Sequence, residues 1–512
     1  MFNLKLKKIE ILSQNEVEII INSAMNILET IGIKIDDENA RKLCQTKGAI
    51  INEKDSFVKF PEGVIKDNLR LVPNSFKLHG ADGTFNFEVN TNTTQFATIG
   101  TPVRIYDPSH KNTLKKTNLE DTIKQIRVVD SLENVHCSHI DVWPNDIKFT
   151  AVHVHCLYQW AKNTKKPYGL GCLGKLASQD MMDFTSIIIG SEEDLIKRPR
   201  LVGFMNPTSP LQLPKLMTNG LEIFAKYKQP TIVAPEALAG ATAPVTLAGV
   251  LSQTTAEIIG GIILAQIFSP RSPVFFGTVS CATDMRSGNS ALGAIESSLI
   301  TIGIAQIAKS LDIPSRAPGG VTESKCFDIQ NGFERYGTML LAAQAGINYI
   351  TCAGTYESSL AEALELLVID DELASLVIRA MEGIDVNEET LAFDIINKVA
   401  TSEKKGANFL SEAHTRKFMR KELYIPKHID RGRRSTWKKK GSLDIIEKAR
   451  IRVDQVLESY QPYVLDKDID KLLLDFIKKV EERPTQLYMN SEGISSGSIS
   501  LPGQEIKAED LK

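Results

Sequence analysis

The stretch that decides the fold is SRAPGGVTESKCFDIQNGFERYGTMLLAAQAGINYITCAG, Ser315 to Gly354. It reads as a strand end, a glycine turn, a polar loop, a helix, a second strand and a second glycine turn. Parallel α/β folds place their chemistry where such a unit opens to solvent. Here that place holds Pro318-Gly319-Gly320 and the polar residues Thr322, Glu323, Ser324, Lys325, Asp328 and Gln330.

The same grammar begins at Gln95. The β-rich runs QFATIGTPVRIY, ENVHCSHIDVW, KPYGLGCLG, RPRLVGFMNP, QPTIVAPEAL, SPVFFGTVSC, IPSRAPGG and INYITCAG alternate with helix-length segments. The spacing predicts helices over 118–130, 146–161, 178–189, 215–226, 246–268, 289–309, 332–345 and 358–381. Eight strand–helix pairs match a closed (β/α)8 TIM barrel over residues 95–400. A doubly wound open sheet is the rival, because the first run contains a hairpin, TIGTPVRIYD, that need not belong to the barrel. Residues 1–94 read as an N-terminal α/β cap, with helices over 16–30 and 36–47 and strands over 49–60 and 76–89. Residues 401–487 read as a C-terminal helical extension with a basic run, Arg431–Lys440. Residues 488–512, rich in Ser, Gly and charge, read as a flexible tail.

Net charge of -3 over 512 residues gives no electrostatic footing for nucleic acid. Seven cysteines without a CxxC suit a reducing compartment, and a cytoplasmic location is expected. The N-terminus lacks the continuous apolar core of a signal peptide. The most apolar run, 254–268, is interrupted by Glu257 and stopped by Pro270, so no membrane span is predicted.

Strand ends supply a mouth rich in hydroxyls and carboxylates, among them His139, Asp141, Trp143, Asn206, Glu236, Asp284, Arg286, Ser324, Asp328, Tyr356 and Glu357. No single nucleophile–base pair stands out. Cys137 and His139 share a strand face and invite a metal test. His153 and His155 sit in a helix, where a spacing of two turns them apart. A zinc site takes three or four converging ligands, and none is predicted here.

The segments APEALAGATAPVTLAGVLSQTTAE (234–257), GTVSCATDMRSGNSALGAIE (277–296), Ser315–Gly354, LLVIDDEL (366–373) and NFLSEAHTRKFMRKELYIPKHIDR (408–431) resemble the trimethylamine methyltransferase superfamily. The resemblance spans roughly residues 10–460 and keeps the motifs in order. It implies a cytoplasmic (β/α)8 barrel that moves a methyl group from a methylated amine to the Co(I) of a separate small corrinoid protein. The methylcobalamin is then carried by that partner, and no tightly bound cofactor is expected in this chain. Only standard residues are present, so the chain is similar to the branch without pyrrolysine, which acts on glycine betaine and related quaternary amines.

The resemblance carries over the strand-end positions Glu236, Asp284, Glu296, Asp328, Gln330 and Glu334. Of these, Glu236, Asp284, Asp328 and Gln330 are taken as catalytic. A permanent cation is best held by aromatic faces, which points to Trp143, Phe276 and Tyr356. Arg286 and Gly320 are assigned to a substrate carboxylate. Glu357 is added because Thr355-Tyr356-Glu357 replaces a smaller, less charged loop. His139, Asn206 and Ser324 are expected to face the corrinoid. Expected partners are the corrinoid protein, a small quaternary amine and further copies of the chain. Two other readings stand beside this one: a zinc-assisted methyltransferase with another donor, and a non-catalytic betaine-binding sensor or assembly protein.

Overall fold

A computed structural model describes residues 8–492 apart from 53, 101 and 111, together with 500–501 and 504–505. Eight strands, Gln95–Ala97, Val135–His139, Tyr168–Gly171, Leu201–Met205, Thr231–Val233, Val274–Gly277, Ser315–Pro318 and Tyr349–Thr351, close into a barrel. All pair in parallel and in chain order. The eighth meets the first through Tyr349↔Gln95 and Ile350↔Phe96, which rules out the open sheet. Each of the eight β-rich runs supplies one strand. The hairpin inside the first run lies outside the barrel: Arg104–Tyr106 pairs antiparallel with Leu114–Lys116 and in parallel with Ala361–Glu362.

The eight barrel helices are Leu119–Ser131, Val152–Asn163, Gly174–Ile189, Lys215–Lys226, Leu247–Phe268, Ile295–Ser310, Ile329–Ala345 and Leu364–Glu382. Three begin later than the spacing predicts. Ser290–Ala291 is taken by a hairpin with Cys281–Thr283, and Ala361–Glu362 by pairing with Thr355–Tyr356. Both are short mouth-side strands that compete with helix for the same residues. The third begins at Val152 instead of 146.

Alternation divides each barrel strand between bore and helices. Ile232, Phe275 and Tyr349 point into the bore, while Val233 and Phe276 pack with Ile258 and Ile262 on the helix side. The end away from the mouth is plugged by the hairpin Ser75–His79/Asn86–Asn90. Its register places Phe76, Leu78, Phe87 and Val89 on one face, and that face joins the bore cluster. Phe76 meets Phe275 edge-on, with ring centroids 5.1 Å apart.

Helix Leu247–Phe268 is long and apolar enough to cross a membrane, yet it is mostly buried between the barrel wall and the N-terminal helix Gln14–Asn26. Its buried Glu257 accepts hydrogen bonds from Ser209 Oγ (2.7 Å), Leu211 N (2.9 Å) and Gln253 Nε2 (2.9 Å). That carboxylate fastens the loop after the fourth strand.

The C-terminal helices Ile445–Ser459, Lys467–Glu481 and Thr485–Glu492 return to the barrel. The last corrects the expectation of a loose tail from residue 488. Tyr488, Met489 and Glu492 are buried. Glu492 accepts from Leu176 N at 2.9 Å, at the start of helix Gly174–Ile189, where free N–H groups favour an anion. Gly174 has φ +83°, and a Cβ there would lie 2.3 Å from Glu492 Cδ, so glycine is required twice over. Most of 493–512 lies outside the described residues.

Candidate active site at the barrel mouth

The centre of the mouth is a buried arginine. Arg316 lies in the seventh strand and is 1% exposed. Its Nη1 donates to Thr278 O (2.8 Å) and its Nη2 to Thr351 Oγ1 (2.5 Å). Its guanidinium also lies 5.1 Å from the Phe204 ring centroid. Nε has no partner, and among the described residues the guanidinium makes no ion pair with a carboxylate. Desolvation lowers the Arg316 pKa, but guanidinium stays protonated over the accessible pH range. A fixed charge is thus held out of water with only dipoles and one ring face around it.

Below it, His139 Nε2 and Tyr349 Oη are 2.8 Å apart, and Tyr349 meets Phe275 at a tilt of 35°, ring centroids 5.0 Å apart. The His139 ring lies on Gly169, where a Cβ would fall 1.6 Å from Nδ1. Burial pulls the His139 pKa down to about 3, with the Arg316 charge adding to the effect, so the ring is neutral. Past Arg316, toward the strand ends, the side chains are less covered. Phe204, Asn206, Leu238 and Val279 are half-buried and Glu236 is exposed. Glu236 touches solvent, yet the protein around it strips enough water to raise its pKa, and Arg316 pulls the other way. The site is therefore a dipole, positive in the bore and negative at the rim.

A second polar set locks the loops of strands one, two and eight. Asp141 is fully buried; its Oδ2 accepts from Gln125 Nε2 at 2.9 Å, and its Oδ1 has no partner. Neither carboxylate oxygen of buried Glu362 has one. Arg335 donates to Asp370 and to Thr355 O, and Asp370 Oδ2 also accepts from Gly354 N (2.7 Å). Burial raises the Asp141 pKa to about 7 and the Asp370 pKa to about 6. A carboxyl raised on folding contributes stability that is full below about pH 4 and is lost as pH climbs through the folded value. Half-buried His136, lowered to about 3 by desolvation, acts oppositely and loses stability as pH falls from 6.5. Asp141→Asn should therefore gain up to about 4 kcal/mol on wild type between pH 4 and pH 8 in denaturant titrations. A pH-independent difference would show that Asp141 holds no proton.

The other predicted residues are placed elsewhere. Phe276 is corrected: one residue of parity turns it to the helix side, and Phe275 faces the bore. Tyr356 is also corrected. It is 2% exposed and packs outside the barrel with Phe327, centroids 5.6 Å apart, among Leu366 and Leu367. We expect Tyr356→Ala to cost about 3–5 kcal/mol of stability and Tyr356→Phe under about 1.5 kcal/mol, measured by unfolding. A Tyr356→Ala enzyme of normal stability that fails to bind donor would restore its ring to the site.

Trp143 is buried in the helix-side cluster, with its indole N–H unpartnered. Asp284 and Arg286 share the exposed tip of a hairpin, where the Asp284 carboxylate accepts from Arg286 N. Asp328 is the N-cap of helix Ile329–Ala345 and takes the Ser324 hydroxyl at 2.9 Å, so Ser324 is structural as well. Buried Gly320 donates to Thr338 Oγ1. Gln330 donates to Glu334 Oε1, and Glu334 Oε2 accepts from Thr322 and from Glu323 N. Glu296 is exposed. Glu357, with φ +51°, fixes its loop by donating N–H to Ser324 O. Of the corrinoid-facing set, Asn206 is on the rim and donates to Ala234 O. His139 is inside the bore. Cys137 faces the bore as well, its thiol near Pro167 O, and burial pushes its pKa up to about 12. Among the described residues no three His, Cys, Asp or Glu side chains converge as a metal site would require.

Arg316 and Phe204 were missed. The signal for Arg316 was available: parallel barrel strands are apolar runs, and a charge inside one is anomalous.

Known proteins resemble this chain. The family model for trimethylamine methyltransferase (MTTB) matches residues 2–484. The glycine betaine methyltransferase of Desulfitobacterium hafniense (strain Y51) is 32% identical over 475 residues, covering 92% of this chain and 97% of the relative. The trimethylamine methyltransferase MttB of Methanosarcina barkeri is 31% identical over 482 residues, covering 93% and 96%. The crystal structure of the Methanosarcina barkeri monomethylamine methyltransferase (MtmB) aligns over 89% of this chain and 90% of its own, with TM-score 0.49 and 11% identity.

Proposed function

The chain belongs to the trimethylamine methyltransferase family, and from that premise we propose that it demethylates a carboxylate-bearing quaternary amine of the glycine betaine type. The methyl acceptor in this reading is the Co(I) of a separate small corrinoid protein, in the cytoplasm. The observation that carries the proposal is Arg316, a buried cation that makes no ion pair among the described residues, with the exposed carboxylate of Glu236 near enough to feel its charge. A zwitterion with its carboxylate down and its ammonium up opposes both charges. A simple amine would leave Arg316 uncompensated.

The chemistry suits such a site. In displacement at a quaternary methyl, the C–N bond breaks and its electron pair stays on nitrogen. The new bond to the methyl carbon uses the electron pair of the acceptor. A neutral tertiary amine departs, and no proton has to move. Neutral His139, tied to Tyr349, is not poised as a general acid, in keeping with that. The protein's work is alignment and exclusion of water. Arg316 fixes the carboxylate, so the methyls face the open rim at Asn206 and Glu236. Positive charge leaves nitrogen in the transition state, so a tight carboxylate–ammonium pair would oppose the reaction. Glu236, hydrated and with a raised pKa, holds the cation only loosely.

Incubation of the protein with a reduced corrinoid protein and a panel of methyl donors tests the proposal. Tertiary amine should appear from betaine-type donors. Turnover of a thiol, alcohol or methoxyaromatic, with none of any quaternary amine, would discard it. Tight donor binding without methyl transfer would make the chain a sensor.

A further inference from the structure

Residues 382–448 contain no buried residue, although they form helices Glu388–Leu391, Phe393–Ala400, Ala413–Glu422 and Arg434–Lys439. Large apolar side chains in this arm stand in solvent: Leu391 62%, Phe393 76%, Leu410 83% and Leu423 65% exposed. The arm is tied to its own barrel by polar contacts. Buried Glu372 accepts from Tyr424 Oη, Lys427 N and His428 N, and Arg379 donates to Glu422 O. A segment this long with no fully buried side chain gains little stability from its own contacts.

The barrel carries a matching face. Helix Ile329–Ala345 shows Ile329, Phe333 and Tyr336 to solvent at 86%, 62% and 37%, one stripe at i, i+4 and i+7. Gly332 and Gly337 interrupt the same helix. A Cβ at either would meet nothing within 4 Å. Glycine inside a helix costs about 1 kcal/mol against alanine. No contact among the described residues explains that cost, whereas close approach of another backbone does.

We infer that the arm packs on the Ile329–Tyr336 face of a second copy of this chain. A surface so apolar in every molecule needs a cover present wherever the chain is present, at equal stoichiometry. A second copy meets both conditions. Charge agrees: the arm holds 15 lysines and arginines against 11 acids, leaving 45 against 52 on the rest of the chain. A basic arm and an acidic body attract each other across copies.

Sedimentation of the full-length protein decides this. Wild type should sediment as a multiple of 56.6 kDa. Phe393→Asp, in the arm, should yield the monomer. So should Gly332→Trp, on the helix, with an unchanged circular dichroism spectrum, because space over Gly332 is open within the chain. A monomeric wild type, or multimers that survive both substitutions, would overturn the inference. Dissociation by Phe393→Asp with none by Gly332→Trp would overturn the pairing of arm with helix.

Discussion

Arg316→Gln should lower kcat/KM for glycine betaine by about a hundred- to several-thousand-fold. The substitution removes one partner of a desolvated, hydrogen-bonded ion pair, worth about 3–5 kcal/mol. The loss should be specific to the charged end of the donor. A quaternary amine without a carboxylate, poor in the wild type, should lose little more. Stability gives the control. Wild-type Arg316 is a buried charge that makes no ion pair among the described residues, so the glutamine variant should melt at the same temperature or higher. A stable variant with unchanged kcat/KM for glycine betaine would free Arg316 from any role in binding.

Asp370→Ala should destabilise the protein by about 3–5 kcal/mol, the largest structural effect we anticipate outside the apolar core. It strips the Arg335 guanidinium of the carboxylate it pairs with and leaves Gly354 N without that acceptor. Both groups sit at the loop that follows the eighth strand, so the closing edge of the barrel mouth loosens with them. The pair is expected to be costly to break and cheap to replace. Arg335→Met with Asp370→Leu should recover most of the stability lost in either single variant. Denaturant midpoints of the four proteins form the cycle. Additive losses would mean that the two side chains do not act on each other.

How far the sequence discloses this structure depends on the range of the interaction. The barrel was legible because each strand is a short local run with a turn behind it. Helix starts at 295 and 364 were not, because the two-residue strands at 290–291 and 361–362 exist only through pairing that local propensity does not signal. Phe275 and Phe276 show the limit most plainly. Both are aromatic residues in one strand, and nothing local says which one faces the bore; a one-residue change of register exchanges them. Tyr356 follows a strand end, yet the hairpin it enters turns it outward. Asp284 and Asp328 are used locally, as a turn acceptor and a helix cap. Arg335 with Asp370, and Asp141 near Glu362, bring together residues distant in the chain, which spacing alone cannot pair. Glu492 was hidden by the composition of its neighbours, since Ser and Gly after it masked a helix that docks.

A crystal structure with glycine betaine bound tests the central claim most directly. The carboxylate should lie within hydrogen-bonding distance of Arg316 Nε, with the trimethylammonium group above it, next to Glu236, and one methyl facing solvent. A donor seated outside the bore, or inverted with its ammonium toward Arg316, would contradict the account.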